Sequence, residues 1–181
     1  MTDGVDAEDA PGALAELTGY ELWDRTQRAG QRAAAAYEQL LGAPSARARV
    51  AVAPEFLRRL RQLLTLRLVA VAGDRRRAFP HQVPSAARHG AAALWAEVFW
   101  AARAVSPDDD SGLLQATDVS IRGLLSLEPS DLADRETVQA WWERLELVEE
   151  TFQGLEMEAQ VTVERLQATA EYQQQVRRAP R

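Results

Sequence analysis

The amino-acid sequence predicts an all-α protein: a bundle of four to five helices that ends in a long helix with a heptad pattern. Apolar residues recur every three or four positions in each long segment, and no two alternating runs are available to pair as strands. The pattern is longest near the C-terminal end, where five heptads run from Val138 to Val176. A continuous helix from Asp134 to about Arg178 would be roughly 65 Å long and would form the spine of the bundle.

The composition is typical of one globular domain. Hydrophobic residues make up 46% of the 181 residues and charged residues 27%, a balance that favours a folded chain over a disordered one. The length suffices for a single core and is short for two domains. The beginning of the chain is acidic and contains a proline, so we predict a disordered tail over residues 1–12 and one helical-bundle domain over residues 13–181.

The first helix is predicted to begin at a capping box of Thr18 and Glu21 and to end before Pro44. Its inward face is expected to carry Trp23, Thr26, Gly30, Ala33, Tyr37 and Leu40. Residues 45–53 alternate as a short strand would, but a lone strand has no partner. A helix or a loop is therefore favoured there, with the strand left as the alternative.

The second helix is predicted to start at Pro54, a residue suited to the first helical position, and to stop at Gly73 and Asp74. Its buried face is expected to carry Leu57, Leu60, Leu64, Leu68 and Val71. The residues from Arg75 to Pro84 then form a loop. Because exposure is the default in such a loop, replacing Arg75, Arg76 and Arg77 by alanine should change stability by less than about 1 kcal/mol.

Three further helices complete the prediction. The third runs from about Ser85 to Val105, and a turn at residues 108–112 leads into a short fourth helix from Leu113 to Leu127. The fourth helix is expected to bury Leu114, Ile121, Leu124 and Leu125. The heptad positions of the last helix form a row along one face, called the seam. The seam is apolar as far as Leu166 and polar beyond it. This predicts a distal end that is either solvated or covered by a partner.

Charge is strongly segregated although the net charge is only −6. Residues 25–103 hold fourteen arginines and four acidic residues, while the segments before and after them are acidic. All 21 basic residues are arginine, which with the many alanines indicates a GC-rich, bacterial genome. The glutamates of the last helix are expected to lie on its solvated face.

Eight residues are candidates for binding a partner: Arg58, Arg59, Arg61, Arg75, Arg76, Arg77, Phe79 and Trp142. The arginines could instead pair with acids of the C-terminal helix, contact an acidic protein surface, or bind nucleic acid. The sequence pI near 5.1 disfavours a dedicated nucleic-acid binder. Trp141 and Trp142 point about 100° apart on a helix, so one is expected in the core and the other at its boundary, where an exposed tryptophan could anchor a contact. The alternative is that both are buried between three helices.

No residue pattern indicates catalysis or metal binding. His81 and His89 lack the spacing of a helical metal site, and residues 108–112 fail the EF-hand pattern and are better read as an acidic helix cap. The chain has no cysteine, no phosphate-binding glycine loop and no Glu-x-x-His pair. The sequence therefore predicts a protein that is not an enzyme and has no cofactor and no metal.

The function that these observations favour is a non-catalytic interaction or accessory protein, adaptor or regulatory in kind. Its partner would be another protein with an acidic surface, or a second copy bound through the C-terminal helix. The alternative is a nucleic-acid-associated regulator that uses the arginine-rich segment over residues 58–77, and a helical enzyme or ligand-binding bundle ranks third. With no secretory signal and no long apolar stretch, a cytoplasmic protein without membrane contact is expected.

Overall fold

The computed structural model describes residues 14, 17, 19–79, 90–105 and 112–178. This part of the chain is 92% helical, with five helices and no strands, so the predicted all-α bundle with a long C-terminal helix is confirmed. The helices are α1 (Gly19–Gly42), α2 (Ala46–Ala78), α3 (Ala91–Val105), α4 (Leu113–Ser126) and α5 (Arg135–Arg178), with a short 3₁₀ turn at Pro129–Leu132. The tail predicted over residues 1–12 and the capping residue Thr18 lie outside the described residues.

Helix α2 is longer at both ends than the sequence predicts. It begins at Ala46, where the Ser45 hydroxyl accepts a hydrogen bond from the Ala48 N–H at 3.2 Å, and it continues through Pro54. An internal proline costs about 3 kcal/mol, but burial of Ala53, Phe56 and Leu57 around it offsets this cost. The predicted start at Pro54 is therefore wrong, and residues 46–53 are helical.

The predicted stop at Gly73 and Asp74 is also wrong, because α2 continues to Ala78. A glycine inside a helix costs only about 1 kcal/mol, and the turn after it is held by two buried residues, Arg75 and Ala78. The Phe79 N–H then donates to the Arg75 carbonyl at 2.7 Å and caps the helix. Residues 75–78 of the predicted loop are therefore helical, and its residues 80–84 are outside the described part.

The core surrounds α2 and the first half of α5, which run in the same direction. Near their starts Arg49 Nε donates to the Ala133 carbonyl at 2.8 Å, and near the end of α2 Arg75 contacts Glu158 of α5 at 2.7 Å. Helix α1 folds back along α2 as a hairpin, while α3 packs against α2 and α4 packs against α5. The buried apolar residues of all five helices form one cluster.

Helices α3 and α4 are fixed by polar contacts as well as by apolar packing. Trp95 Nε1 donates to Asp118 at 2.9 Å, and the hydroxyls of Thr117 and Thr151 hydrogen-bond at 2.7 Å between α4 and α5. In α4 two of the residues predicted as core, Ile121 and Leu124, are buried, while Leu114 and Leu125 are only half-buried.

The turn before α4 departs from the sequence prediction at its last residue. The residue directly preceding α4 is Gly112, which has a positive φ of 67° and offers no side-chain cap. Residues 106–111, on which an acidic cap was predicted, lie outside the described part, as do residues 85–89 of the predicted third helix.

The two adjacent tryptophans of α5 pack against different helices. Trp141 lies against Gly123 of α4 so closely that a Cβ at Gly123 would be 2.5 Å from its ring. Trp142 stacks on Tyr37 of α1 with ring centroids 4.3 Å apart. Both are half-buried, so the division into one core and one boundary tryptophan is wrong.

The packed seam of α5 ends earlier than the sequence predicts. Its buried apolar residues are Val138, Leu145, Val148, Phe152, Leu155 and Ala159. Beyond Ala159 the side chain of Thr162 is half-buried, and that of Leu166, predicted as seam, is 54% exposed. Within the described residues no helix is long and apolar enough to cross a membrane.

Candidate protein-interaction cleft

An open cleft of about 1680 Å³ lies between α1 and α5, with the second half of α2 as its floor. The two flanking helices are in contact at one end, where Tyr37 stacks on Trp142. Towards the other end they separate, so Trp23 of α1 and Met157 of α5 are 57% and 64% exposed. The sequence assigns Trp23 to the buried face of α1. That assignment is wrong, because Trp23 lies at the rim of the cleft.

The apolar part of the floor is formed largely by small side chains, and four charged residues of α2 also line the cleft, Arg67, Asp74, Arg76 and Arg77. The apolar part includes Leu63, Ala70 and Gly73 of α2, and the walls add Gly30 of α1 and Leu145 of α5. No atom lies within 4 Å of a Cβ built on Gly30 or on Gly73, apart from their own helix backbones and chain neighbours. The backbone of two helices is therefore open to the cleft at these two positions.

A paired arginine crosses the cleft from α2 to α5. Arg67 donates to Glu149 at 2.7 Å and, through both terminal nitrogens, to Glu156 at 2.8 and 3.2 Å. Its side chain is only 14% exposed and lies over the Phe152 ring. Burial by itself would lower the pKa of Arg67, but the two carboxylates outweigh it and raise the pKa.

Burial dominates the electrostatics of Glu149. Desolvation raises its pKa, the neighbouring Arg67 lowers it and Glu156 raises it, and the net shift is upward from the ordinary value of 4.5. One of its carboxylate oxygens, Oε1, is buried without a hydrogen-bond partner, and so is Nε of Arg76, another residue of the cleft. Buried polar atoms normally have partners, so a group that enters the cleft could donate a hydrogen bond to Glu149 or accept one from Arg76.

The rim of the cleft on α5 is acidic. Glu146 and Glu150 line it and are exposed, and neither makes an ion pair with a described residue. Glu164 lies further along the same helix and accepts a hydrogen bond from Gln160 at 3.1 Å. Among the cleft arginines, Arg67 is paired with two glutamates and Arg77 with Asp74, whereas Arg76 makes no ion pair with a described residue. The cleft therefore combines an apolar floor with two rim carboxylates, Glu146 and Glu150, that make no ion pair with a described residue.

The predicted partner-binding residues are divided between this cleft and other surfaces. Arg76, Arg77 and Trp142 line the cleft. Arg58 and Arg59 instead pair with Glu55 at 2.8 and 2.7 Å on the surface of α2. Arg61 donates to the Leu127 carbonyl at 2.9 Å, at the end of α4.

The prediction that fails most clearly is the exposed loop position of Arg75, because this residue is 0% exposed and lies within α2. The continuation of α2 turns it inward, where it pairs with Glu158 at 2.7 Å and lies over the Phe79 ring at 4.9 Å. Pairing with acids of the C-terminal helix, one of the three alternatives for the arginines, thus holds for Arg67 and Arg75. The expectation that the glutamates of this helix are all solvated is wrong for Glu149, Glu156 and Glu158, which meet these arginines.

Sequence reasoning missed the cleft because no local pattern encodes the separation of two helices. The signal that could have found part of it is the change along α5 from large apolar seam residues to threonine and glutamine. Within the described residues no group of three histidines, cysteines, aspartates or glutamates could hold a metal ion. Comparison of the chain with protein-family models, curated proteins and solved structures finds no match.

Proposed function

We propose that this protein is a non-catalytic interaction protein whose cleft binds an amphipathic helix that carries basic residues. The observation that supports this is the combination, in one cleft, of an apolar floor, an acidic rim and a buried carboxylate oxygen without a partner. Laying the apolar face of a helix into an apolar groove is a recurring mode of peptide recognition. The proposed site of action is the cytoplasm, with which the absence of cysteine is compatible.

The size of the cleft favours a helix over a small molecule. Ordinary ligand pockets measure about 300–1,000 Å³, whereas this cleft measures about 1680 Å³ and is open along one side. A helix about 10–12 Å across that rises 1.5 Å per residue occupies roughly 130 Å³ per residue. The cleft therefore accommodates about three turns of helix.

The charges favour a basic partner over the acidic one that the arginine segment suggests. Arg67 and Arg75 are paired internally, and Arg58, Arg59 and Arg77 are paired with neighbours on their own helix, which leaves Arg76 as the cleft arginine without an ion pair to a described residue. Glu146 and Glu150, in contrast, are unpaired among the described residues and lie at the cleft. Opposite charge on a partner helix would direct its approach and select its orientation.

Two model peptides test the proposal. Both are amphipathic helices of about 18 residues with the same leucine face, and one carries lysine and the other glutamate on the polar face. We expect the leucine–lysine peptide to bind, measured by calorimetry and by the fluorescence of Trp23 and Trp142. If the leucine–glutamate peptide binds equally well, or neither binds, the proposal is wrong.

Glycine substitutions provide matched variants. Gly73→Leu and Gly30→Leu place a side chain in the cleft without a clash, because a Cβ at either position meets no neighbouring atom within 4 Å. Gly154→Leu adds the same side chain on the exposed side of α5, also without a clash and away from the cleft. We expect the cleft variants to weaken leucine–lysine binding by about tenfold or more, and Gly154→Leu to leave it unchanged. Equal effects of the three would contradict binding in the cleft.

A further inference from the structure

The distal part of α5 has no packing partner among the described residues. Ala159 is the last buried residue of the helix, and residues 164–174 are all exposed. From Ala159 to Arg178 the helix extends about 28 Å. Most helical stability in proteins comes from tertiary packing, and this part of the helix lacks the packing that stabilises the first half of α5.

The extension, defined as residues 160–178, is not uniformly polar. Val161, Leu166 and Tyr172 are 47%, 54% and 68% exposed, and Met157 lies just before them. Large apolar side chains that recur along an otherwise bare helix indicate a surface used for contact. At 100° per residue Val161 and Tyr172 lie about 20° apart on one side of the helix, and Leu166 lies about 120° from Tyr172. The extension therefore offers apolar groups on two sides.

The charge of α5 reverses along its length. Residues 143–164 contain seven glutamates and one arginine, whereas residues 165–181 contain four arginines and one glutamate. The acidic part lines the cleft, and the basic part follows in the extension. A helix with this distribution is complementary to a second copy of itself in the antiparallel orientation, and repels a parallel copy.

We propose that the occupant of the cleft is the extension of a second copy of this chain. This deepens the proposed function and rests on it. The extension of each protomer lies antiparallel to α5 in the cleft of the other, with a two-fold axis near residue 162. Residues 177 and 178 of one copy then lie at the level of residues 147 and 146 of the other, with Glu150 one turn away, and Leu166 lies at the level of Glu158, beside the floor formed by α2.

In this arrangement a single helix contact fills the cleft of one protomer and covers the extension of the other. Residues 165–178 and residues 146–159 span equal lengths of helix, about 20 Å each, which is close to the three turns that the cleft accommodates. Because the two-fold arrangement is reciprocal, both clefts and both extensions are used and the assembly closes as a dimer. The dimer therefore contains the cleft contact twice.

The first test is the mass of the full-length protein in solution, by sedimentation and by light scattering. We expect a dimer at micromolar concentration that Gly73→Leu converts to monomer and Gly154→Leu does not. A full-length protein that stays monomeric at high micromolar concentration would overturn the inference. If that monomer still binds the leucine–lysine peptide, the proposed function stands, and if it binds neither peptide, both fail.

Charge reversal tests the orientation. A cleft variant with Glu146→Arg and Glu150→Arg and a tail variant with Arg177→Glu and Arg178→Glu should each dimerise at least about tenfold more weakly than the original protein. Mixed together they should form a heterodimer, because each basic cleft meets an acidic tail and each acidic cleft meets a basic tail. Circular dichroism of each variant confirms that it is folded. The antiparallel arrangement would be contradicted if the cleft variant and the tail variant each still form homodimers. It would also be contradicted if the mixture of the two remains monomeric.

Discussion

The two halves of α5 share one heptad pattern but differ in their surroundings. The first half, from Arg135 to Ala159, packs against α1, α2 and α4 and buries six apolar seam residues. The extension continues the same period with Thr162, Leu166 and Thr169, but its side chains are exposed throughout residues 164–174. A hydrophobic period therefore identifies which face of a helix can be buried, and the presence of a neighbour decides whether it is.

The largest difference between the two halves is expected at Phe152. Its side chain is fully buried and lies 6.0 Å from the Trp95 ring, centroid to centroid. Phe152→Ala should lower the free energy of unfolding by about 3–5 kcal/mol, because it leaves a cavity in the core. Leu166→Ala, the control in the extension, should change the stability of dilute, monomeric protein by less than about 0.5 kcal/mol. Urea unfolding measures both, and similar losses would remove the distinction between the halves.

The next effect is expected at Arg67, which holds two glutamates of the first half. Arg67→Ala leaves Glu149 and Glu156 together without a cation, at a cost of about 3 kcal/mol. Arg165→Ala in the exposed extension should be neutral within about 0.5 kcal/mol. Adding Glu149→Gln and Glu156→Gln to Arg67→Ala should recover much of the loss. No recovery would show that Arg67 acts through packing and not through charge.

The same contrast between buried and exposed side chains is found at the end of α2, in Arg75 and Arg77. Arg75 is fully buried against Glu158 and Phe79, while Arg77 is 73% exposed. Arg75→Ala should lower stability by about 2 kcal/mol, because it removes a charged hydrogen bond and leaves a cavity. Arg77→Ala should change it by less than about 0.5 kcal/mol. Thermal unfolding of the two single variants separates them, and equal melting temperatures would restore the sequence-based view of the segment as a loop.

The pH dependence of stability should report the buried Glu149. Because its pKa in the folded protein is raised above 4.5, the folded state binds this proton more tightly than the unfolded state. Its contribution to stability is therefore present at low pH and is lost as pH rises through the window above 4.5. Glu149→Gln keeps an uncharged group there, so its stability relative to the original protein should increase from mildly acidic to neutral pH. A constant difference, with Arg67 and Glu156 intact, would contradict the raised pKa.

The smallest effect on the monomer is expected from deleting residues 170–181. This segment contains no buried described residue, so the free energy of unfolding of dilute protein should change by less than about 1 kcal/mol. Dimer formation should be lost at the same time. If the deletion unfolds the monomer, the extension contributes to the core and is not a docking surface.

Several features of the fold could be predicted because they are encoded locally. The period of apolar residues predicts helices, and the sequence Gly42-Ala-Pro44 predicts the break between α1 and α2. The ends of α2 could not be predicted in this way. Pro54 and Gly73 are unfavourable to a helix by a few kcal/mol at most, and the burial of residues distant in sequence outweighs them.

Candidate site residues were predicted least well, because a residue's type does not state its neighbours. Arg75 and Arg77 are two positions apart in one run of arginines, yet one is buried and the other exposed. Which of them turns inward follows from the continuation of α2 and from its register against Glu158 of α5. Neither the length of α2 nor its register against α5 can be read from the three consecutive arginines.

The sequence by itself determined the helical class, the long C-terminal helix and the division of charge along the chain, since these follow from short-range periodicity and composition. Tertiary structure decided where the seam of α5 ends, which arginines are paired and that α1 and α5 separate to form a cleft. The physical reason is that burial and ion pairing depend on the relative lengths and directions of several helices. The lengths and directions of the helices depend on many contacts between residues distant in sequence, and none of these contacts is visible in the local pattern of residues.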